Sequence, residues 1–250
     1  MFYFGTNTKQ QLDIQSHEDI VEIASLLAKT NKDTQFFVLP TMPLVRELKM
    51  ASHGTGLWVG AQRVSGTQKN ITGKISAKLL ADSDLDLVMV GHAERRAFGE
   101  DSEAEIINQL KALIEVKLPI LYCIGEEHLE NDKVKRKDWF KKQLVVLRDL
   151  FIEKAIIAYE PVWSIGEKGT PAQANYVEES FELIKECLKE LERKVDNFPL
   201  LYGGSVNMEN AKQLASLDNC DGLFVGRSAW SRDGFRNVYE KAHSGYRSRI

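Results

Sequence analysis

The sequence predicts an α/β fold, a closed (β/α)8 barrel of eight parallel strands that alternate with helices. Three observations predict it. Short apolar runs recur along the 250 residues, helix-periodic segments separate most of them, and no Pro/Gly/Ser-rich linker interrupts the alternation. Parallel strands need crossover helices, and eight such units in about 250 residues match the size of a closed barrel. We therefore expect residues 1–250 to form one domain.

The predicted strands are short apolar runs of the kind found in parallel strands that are buried on both faces. An open doubly wound sheet is the alternative architecture. The first strand is not followed by the G-x-G-x-x-G turn of that fold, which favours the barrel. The eight runs are Phe2–Phe4, Phe36–Leu39, Leu57–Gly60, Leu85–Val90, Ile120–Ile124, Ile156–Tyr159, Leu200–Tyr202 and Leu223–Val225.

Two of the intervening segments have the i, i+3/i+4, i+7 spacing of amphipathic helices that pack on one face. A charged run at 133–142 is instead typical of a solvated helix face. The apolar positions of the two periodic segments are Ile106, Ile107, Leu110, Leu113 and Ile114 in the first, and Val177, Phe181, Ile184, Leu188 and Leu191 in the second.

Composition disfavours several classes of protein. The net charge of −3 provides no basic field for nucleic acid or an anionic membrane, and no apolar stretch approaches the length of a membrane span. Residues 1–5 lack the form of a secretory leader. The three cysteines have no metal-type spacing and indicate free thiols in a reducing compartment, so we expect a cytoplasmic protein. The five histidines form no ligand pair, so we expect no metal site.

Catalytic groups of a barrel follow the carboxyl ends of its strands, and chemistry-bearing residues follow five of the predicted strands here. Each has an ordinary explanation: a lone lysine is usually solvated, a histidine can be satisfied in a core, and glycines make turns. That all of them follow strand ends at the same rim of the barrel favours a functional site. These residues are Asn7 and Lys9 after the first strand, His92 and Glu94 after the fourth, Glu160 after the sixth, Gly203, Gly204 and Ser205 after the seventh, and Gly226 and Arg227 after the eighth.

The residue types at this rim suit one kind of reaction. Glu160 can remove a proton from carbon, and Pro161 directly after it ends the strand and begins a loop that can cover the base. His92 can polarise a carbonyl. Lys9 supplies positive charge, and Gly-rich turns that lead into helices offer backbone N–H groups to a phosphate. The combination predicts proton transfer next to a carbonyl in a sugar phosphate.

Eight segments of the chain, spread from end to end, match the motifs of one family. No single segment is specific, but together they are. The chain therefore resembles the triosephosphate isomerase family. The matching segments are Asn7-x-Lys9, Gly60-Ala61-Gln62, Thr72-Gly73-x-Ile75-Ser76, Gly91-His92-x-Glu94-Arg95-Arg96, Cys123-Ile124-Gly125-Glu126, Ala158-Tyr159-Glu160-Pro161-Val162-Trp163, Tyr202-Gly203-Gly204-Ser205-Val206 and Asp221-Gly222.

The resemblance implies a TIM barrel that acts as a homodimer and interconverts glyceraldehyde 3-phosphate and dihydroxyacetone phosphate, as in glycolysis and gluconeogenesis. It implies no cofactor and no metal, because the reaction only moves protons. Glu160 would be the base and neutral His92 the group that polarises the carbonyl, roles taken over from the family. Asn7 and Lys9 would orient the substrate oxygens, with Glu94 supporting Lys9 or relaying protons. The implied phosphate-binding residues are Gly166, Ser205, Gly226 and Arg227, and the implied lid is Pro161, Val162, Trp163, Ser164, Ile165 and Gly166.

The chain departs from the family pattern in its lid and rim. The lid segment 165–172, which includes Glu167 and Lys168, is about two residues shorter than usual, and Arg227 follows Gly226 where the usual pair is Gly-Gly. Thr8 stands in place of a usual Trp and Ala93 in place of a usual Ser. These departures favour, as an alternative, a branch of the superfamily that isomerises four-carbon erythrulose phosphates.

Two further expectations concern partners and class. In the family the loop around Thr72 docks into a second subunit, and the polar segment 66–73 is long enough to do so. Lys74 replaces a usual Glu that pairs with the partner's arginine at the Arg95 position, so that contact must be rebuilt or lost. A non-catalytic phosphate-binding barrel is an alternative of another class. The presence of Glu160, His92 and Lys9 together disfavours it.

Overall fold

The computed structural model describes residues 1–67, 69, 71–166 and 169–249, and in this part of the chain eight strands alternate with nine α-helices. The strands are β1 (Phe2–Asn7), β2 (Thr34–Leu39), β3 (Trp58–Val59), β4 (Val88–Val90), β5 (Ile120–Ile124), β6 (Ile156–Tyr159), β7 (Leu200–Tyr202) and β8 (Gly222–Val225). The helices are α1 (Ile14–Thr30), α2 (Val45–Ala51), α3 (Ala77–Asp82), α4 (Ala93–Ala97), α5 (Glu103–Glu115), α6 (Lys133–Asp149), α7 (Ala174–Glu190), α8 (Ala211–Ala215) and α9 (Arg232–Arg249).

The strands form one parallel sheet that curls into a barrel, which confirms the predicted fold. The strand order is β3-β2-β1-β8-β7-β6-β5-β4, so that β1 pairs with both β2 and β8. The two end strands meet through a parallel bridge between Ala61 and Val88. The N–H of Ala61 donates to the carbonyl of Leu87 at 3.1 Å, and that of Met89 donates to the carbonyl of Ala61 at 2.9 Å.

Alternation along each strand divides its side chains between two apolar layers. On β2, Phe36 and Val38 belong to the large layer that also contains the helix residues, whereas Phe37 and Leu39 belong to a smaller cluster inside the barrel. A Cβ at Gly5 would lie 2.4 Å from the ring of Phe37, so glycine at this position makes room for that ring. The same alternation decides which residues beyond the strand ends point into the barrel mouth.

The two helices predicted from periodicity are present as α5 and α7. Helix α7 buries four of its five predicted positions, and the fifth, Leu191, is buried directly after its end. Helix α5 buries Ile106, Leu110 and Leu113, but Ile114 at its C-terminus is 40% exposed. The side chain of Ser102 caps α5 by accepting a hydrogen bond from the N–H of Glu105, which fixes where the helix begins.

The expectation of a solvated face for the charged run at 133–142 is wrong for one charged residue. These residues form the first half of α6, and Arg136 in it is buried. Its guanidinium lies 3.9 Å from the ring centroid of Tyr176 and donates to Glu179 at 2.9 Å. An arginine can be buried when an aromatic face and a carboxylate compensate its charge. No helix among the described residues is long and apolar enough to cross a membrane.

Candidate active site

The carboxyl ends of the strands surround a cavity of about 290 Å³. The structure brings together there every catalytic and phosphate-binding residue predicted from the sequence except Glu94. Glu94 lines an adjoining cavity of about 490 Å³ that shares Lys9, His92 and Arg227 with the first. The predicted residues that line the first cavity are Asn7, Lys9, His92, Glu160, Gly166, Ser205, Gly226 and Arg227, together with the lid residues Ser164 and Ile165.

Glu160 reaches the cavity because of strand parity. Ile156 and Ala158 of β6 point into the barrel, so Glu160, two residues further on, falls on the same side. Its carboxylate is 2% exposed, and Oε2 accepts a hydrogen bond from the N–H of Ala93 at 3.0 Å. A Cβ at Gly203 would lie 2.8 Å from Cγ of Glu160, so this glycine makes room for the Glu160 side chain.

His92 faces Glu160, and its hydrogen bonds define its tautomer. The N–H of Glu94 donates to Nδ1 of His92 at 3.2 Å, so Nδ1 acts as an acceptor and carries no proton. The ring is therefore the neutral form with its proton on Nε2. That nitrogen lies 3.6 Å from Oε1 of Glu160. The carboxylate of Glu160, which can accept a proton, and the neutral imidazole of His92, which can donate a hydrogen bond, thus lie next to each other at the wall of the cavity.

Lys9 supplies the positive charge. Its ammonium forms an ion pair with Glu94. Its backbone has φ +54°, in the left-handed region that costs a residue with a Cβ about 1–3 kcal/mol. The N–H of Lys9 donates to Oδ1 of Asn7 at 3.0 Å, and Nε2 of Gln62 donates to the carbonyl of Lys9 at 2.9 Å.

The two glycine turns at the predicted phosphate-binding rim differ in their packing. A Cβ at Gly204 would lie 2.3 Å from the hydroxyl of Tyr202 and 2.5 Å from that of Ser164. At Gly226 a Cβ would meet nothing within 4 Å, so the turn after β8 leaves open space on its cavity side. Arg227 is exposed and lines both cavities.

The base of the lid is held by hydrogen bonds. Residues Val162–Ser164 form a short 3-10 turn, and the indole N–H of Trp163 donates to Oε1 of Glu126 at 2.9 Å. Gly166 lines the cavity with φ +88°, a conformation that favours glycine. Glu167 and Lys168, two of the residues by which the lid departs from the family, lie outside the described residues.

Two residues near the site received no role from the sequence. Oε1 of buried Glu126 also accepts from the hydroxyls of Tyr159 and Tyr176, each at 2.9 Å, and burial raises the pKa of this carboxyl. Cys123 lies on the inner face of β5, where burial and the charge of Glu160 raise the pKa of its thiol well above the usual range. The sequence contained a signal for each residue. Glu126 is a carboxylate two residues after β5, and the alternation of side chains along β5 places Cys123 on its inner face.

The arrangement is suited to moving a proton between carbons. A buried carboxylate can take the proton, the Nε2–H of a neutral imidazole can donate to a carbonyl oxygen, and an ammonium can compensate the resulting negative charge. The described residues contain no cluster of three His, Cys, Asp or Glu side chains that could hold a metal ion.

Comparisons with known proteins agree with this chemistry. A family model described as triosephosphate isomerase matches residues 2–242. The chain is 36% identical over 251 residues to an L-erythrulose-1-phosphate isomerase of Mesorhizobium japonicum, with 97% of each chain covered. It is 37% identical to an L-erythrulose-1-phosphate isomerase of Brucella melitensis, over 95% of this chain and 94% of the relative. It is 30% identical to a probable triosephosphate isomerase 2 of Listeria monocytogenes, over 94% of each chain.

Proposed function

Because the chain belongs to the triosephosphate isomerase family and is an isomerase, we propose that its substrate is a four-carbon ketose phosphate, L-erythrulose 1-phosphate. The observation that carries the chemistry is the pair formed by Oε1 of Glu160 and Nε2 of His92, 3.6 Å apart at the wall of the cavity. The relatives named as erythrulose-phosphate isomerases, at 36% and 37% identity, support the four-carbon substrate over the three-carbon one. The chain's own departures at Ala93 and Arg227 support it as well.

In this proposal Glu160 removes the proton from C3 of the substrate while the Nε2–H of His92 donates to the carbonyl oxygen at C2. The electrons of the broken C–H bond form a C2–C3 enediolate, whose negative charge Lys9 compensates. Glu160 then returns the proton to C2. The proton of the C3 hydroxyl passes by way of His92 to the oxygen on C2, so that C2 carries the hydroxyl and C3 becomes the carbonyl. The product is again an erythrulose phosphate. Its carbons are numbered from the opposite end, because the carbonyl has moved, so the phosphate is now on C4. No electrons leave the substrate, so the proposal requires no cofactor.

The phosphate would lie between the turns after β7 and β8. Ser205, Gly226 and Arg227 line that side of the cavity, and Gly226 leaves open space there. Gly166 would complete the phosphate site when the lid, residues 161–166, covers the enediolate and excludes water. Asn7 would orient a substrate oxygen beside Lys9.

Triosephosphate isomerisation is the second candidate, and the 30% identical relative called probable triosephosphate isomerase 2 favours it. Both candidates use the same base and the same neutral donor. Exchange in deuterated water separates an isomerase from a phosphate-binding barrel. Protein incubated with erythrulose 1-phosphate or glyceraldehyde 3-phosphate should introduce deuterium at the carbon that receives the proton, and failure with both would contradict the proposal.

We also propose a homodimer. Phe98 is 77% exposed and lines the second cavity, and Ile71 in the segment 66–73 is 47% exposed, as is typical of surfaces that a partner covers. Gln68 and Asn70 of that segment lie outside the described residues. Arg95 donates to Glu100 at 2.6 Å and to Asp101 at 2.8 Å, so its charge is compensated within its own chain and repels the partner's Lys74 less. A single species of 28.3 kDa in analytical ultracentrifugation would contradict this proposal.

Three free cysteines, all buried, support a reducing compartment, and we propose the cytoplasm.

A further inference from the structure

The left-handed backbone of Lys9 needs support from its surroundings. A residue with a Cβ stays at φ +54° only where neighbouring contacts hold it there. Asn7 and Gln62 hold the N–H and the carbonyl of Lys9 itself. The residue between Asn7 and Lys9 is Thr8, which replaces the usual Trp of the family and lines neither of the two cavities at the site.

Thr8 points away from the substrate cavity and towards the helices. On β1, Phe2 and Phe4 belong to the outer layer, and Thr8 falls on that same side by parity, whereas Asn7 falls on the inner side. The side chain of Thr8 is completely buried, with its hydroxyl 2.9 Å from Nε2 of His17 and 3.3 Å from the carbonyl of Leu39. The N–H of Thr8 donates to the same carbonyl at 3.2 Å.

His17 is a completely buried imidazole that the reaction does not use. Its Nδ1 lies 2.7 Å from the carbonyl of Asp13, and because a carbonyl only accepts, Nδ1 carries the proton. Nε2 is then the acceptor for the hydroxyl of Thr8 and, at 3.4 Å, for the N–H of Thr41. One ring therefore joins the end of β1, the start of α1 and the loop after β2.

We propose that Thr8 and His17 form a positioning pair that keeps Lys9 in its left-handed conformation and so aims its ammonium at the substrate. The hydrogen bond between them fixes the chain directly before Lys9 to helix α1. Neither residue touches the reacting atoms in this account, so both act through Lys9. The inference rests on the proposed function for its kinetic readout.

Two substitutions at Thr8 separate positioning from simple packing. Thr8→Val keeps the shape of the side chain but removes the hydroxyl, and we expect kcat/KM to fall about tenfold. Thr8→Ser keeps the hydroxyl but removes a methyl group from the core, so it should lower Tm yet retain kcat/KM within about twofold. If Thr8 only filled space, kcat/KM would follow Tm, and Ser would be the more harmful substitution.

Thr6 provides the matched control on the same strand. It is also completely buried, and its hydroxyl has no hydrogen-bond partner among the described residues. Thr6→Val should therefore leave kcat/KM unchanged and Tm unchanged or higher. His17→Phe should lower kcat/KM as much as Thr8→Val does. The double variant should lower kcat/KM little further, because both substitutions remove the same hydrogen bond between Thr8 and His17.

A crystal structure of Thr8→Val tests the inference without using activity. We expect φ of Lys9 to leave the positive region in this variant. Lys9 remaining near +54°, or kcat/KM within about twofold of the unchanged protein, would overturn the positioning role. If the wild-type protein turns over neither sugar phosphate, the proposed function is refuted. The conformation of Lys9 in Thr8→Val would still decide whether Thr8 positions Lys9.

Discussion

The two halves of the site differ in how firmly their residues are held. The proton-transfer half, formed by Asn7, Lys9, His92 and Glu160, is joined by hydrogen bonds and ion pairs that link residues after β1, β4 and β6. The rim half, formed by Gly166 and the turn at Gly226, is less closely packed: a Cβ at Gly166 or Gly226 would meet nothing within 4 Å. Arg227, one of the departures from the family, follows Gly226 in this rim half. The residues of the proposed proton transfer are thus held by contacts from several strands, whereas Gly166 and Gly226 at the rim have open space beside them.

The largest expected effect comes from removing the base. Glu160→Gln keeps the shape of the side chain but cannot accept a proton, so we expect kcat to fall by about 10²–10⁴ with little change in phosphoglycolate binding. Steady-state kinetics and calorimetric titration of phosphoglycolate measure the two effects. Glu182→Gln, on an exposed position of α7, is the matched control. Turnover near that of the control would contradict the role of Glu160.

Removing the cation should cost somewhat less. Lys9→Met deletes the ammonium but keeps the length of the side chain, and we expect kcat/KM to fall about 10²-fold because a charged hydrogen bond is lost. Tm should change little, since the pair with Glu94 is partly exposed. Lys78→Met breaks an exposed ion pair with Asp82 and should change neither quantity. Equal kinetics in the two variants would show that Lys9 does not contact the substrate.

Substitution in the rim half should affect binding and not chemistry. Arg227→Gly restores the usual Gly-Gly pair, and we expect KM to rise about tenfold with kcat nearly unchanged, because a positive charge beside a dianion is lost. The dependence of KM on salt should become weaker as well. Arg227→Lys should retain most of the affinity. A fall in kcat without a change in KM would place Arg227 in the proton-transfer half instead.

The smallest effect concerns Glu126, which accepts hydrogen bonds from Tyr159, Trp163 and Tyr176. Burial raises the pKa of this carboxyl, so its ionised form is disfavoured in the folded protein. Its stabilising contribution is therefore complete below the unfolded pKa of about 4.3 and declines as the pH rises above it. The glutamine in Glu126→Gln has no ionisable group and so avoids this decline. The Tm of the variant minus that of the wild-type protein should therefore increase by a few degrees from pH 4 to pH 7. A difference in Tm that stays constant with pH would contradict this.

The sequence predicted the barrel and the residues at its rim, because both follow from periodicity and from the order of strand ends. The same information did not predict contacts made across the fold. The burial of Arg136 depends on Tyr176, a residue of another helix. The role of Glu126 depends on three donors from β6, the lid and α7. The connection of Thr8 to His17 likewise required the packing of α1 against the end of β1.

The ratio of kcat/KM for L-erythrulose 1-phosphate to that for glyceraldehyde 3-phosphate, measured on the unchanged protein, tests the central claim most directly. One additional carbon that a site accommodates is worth about tenfold or more in this ratio. We predict a ratio of at least about ten in favour of the four-carbon substrate. A ratio below one would contradict the claim and identify the protein as a three-carbon isomerase.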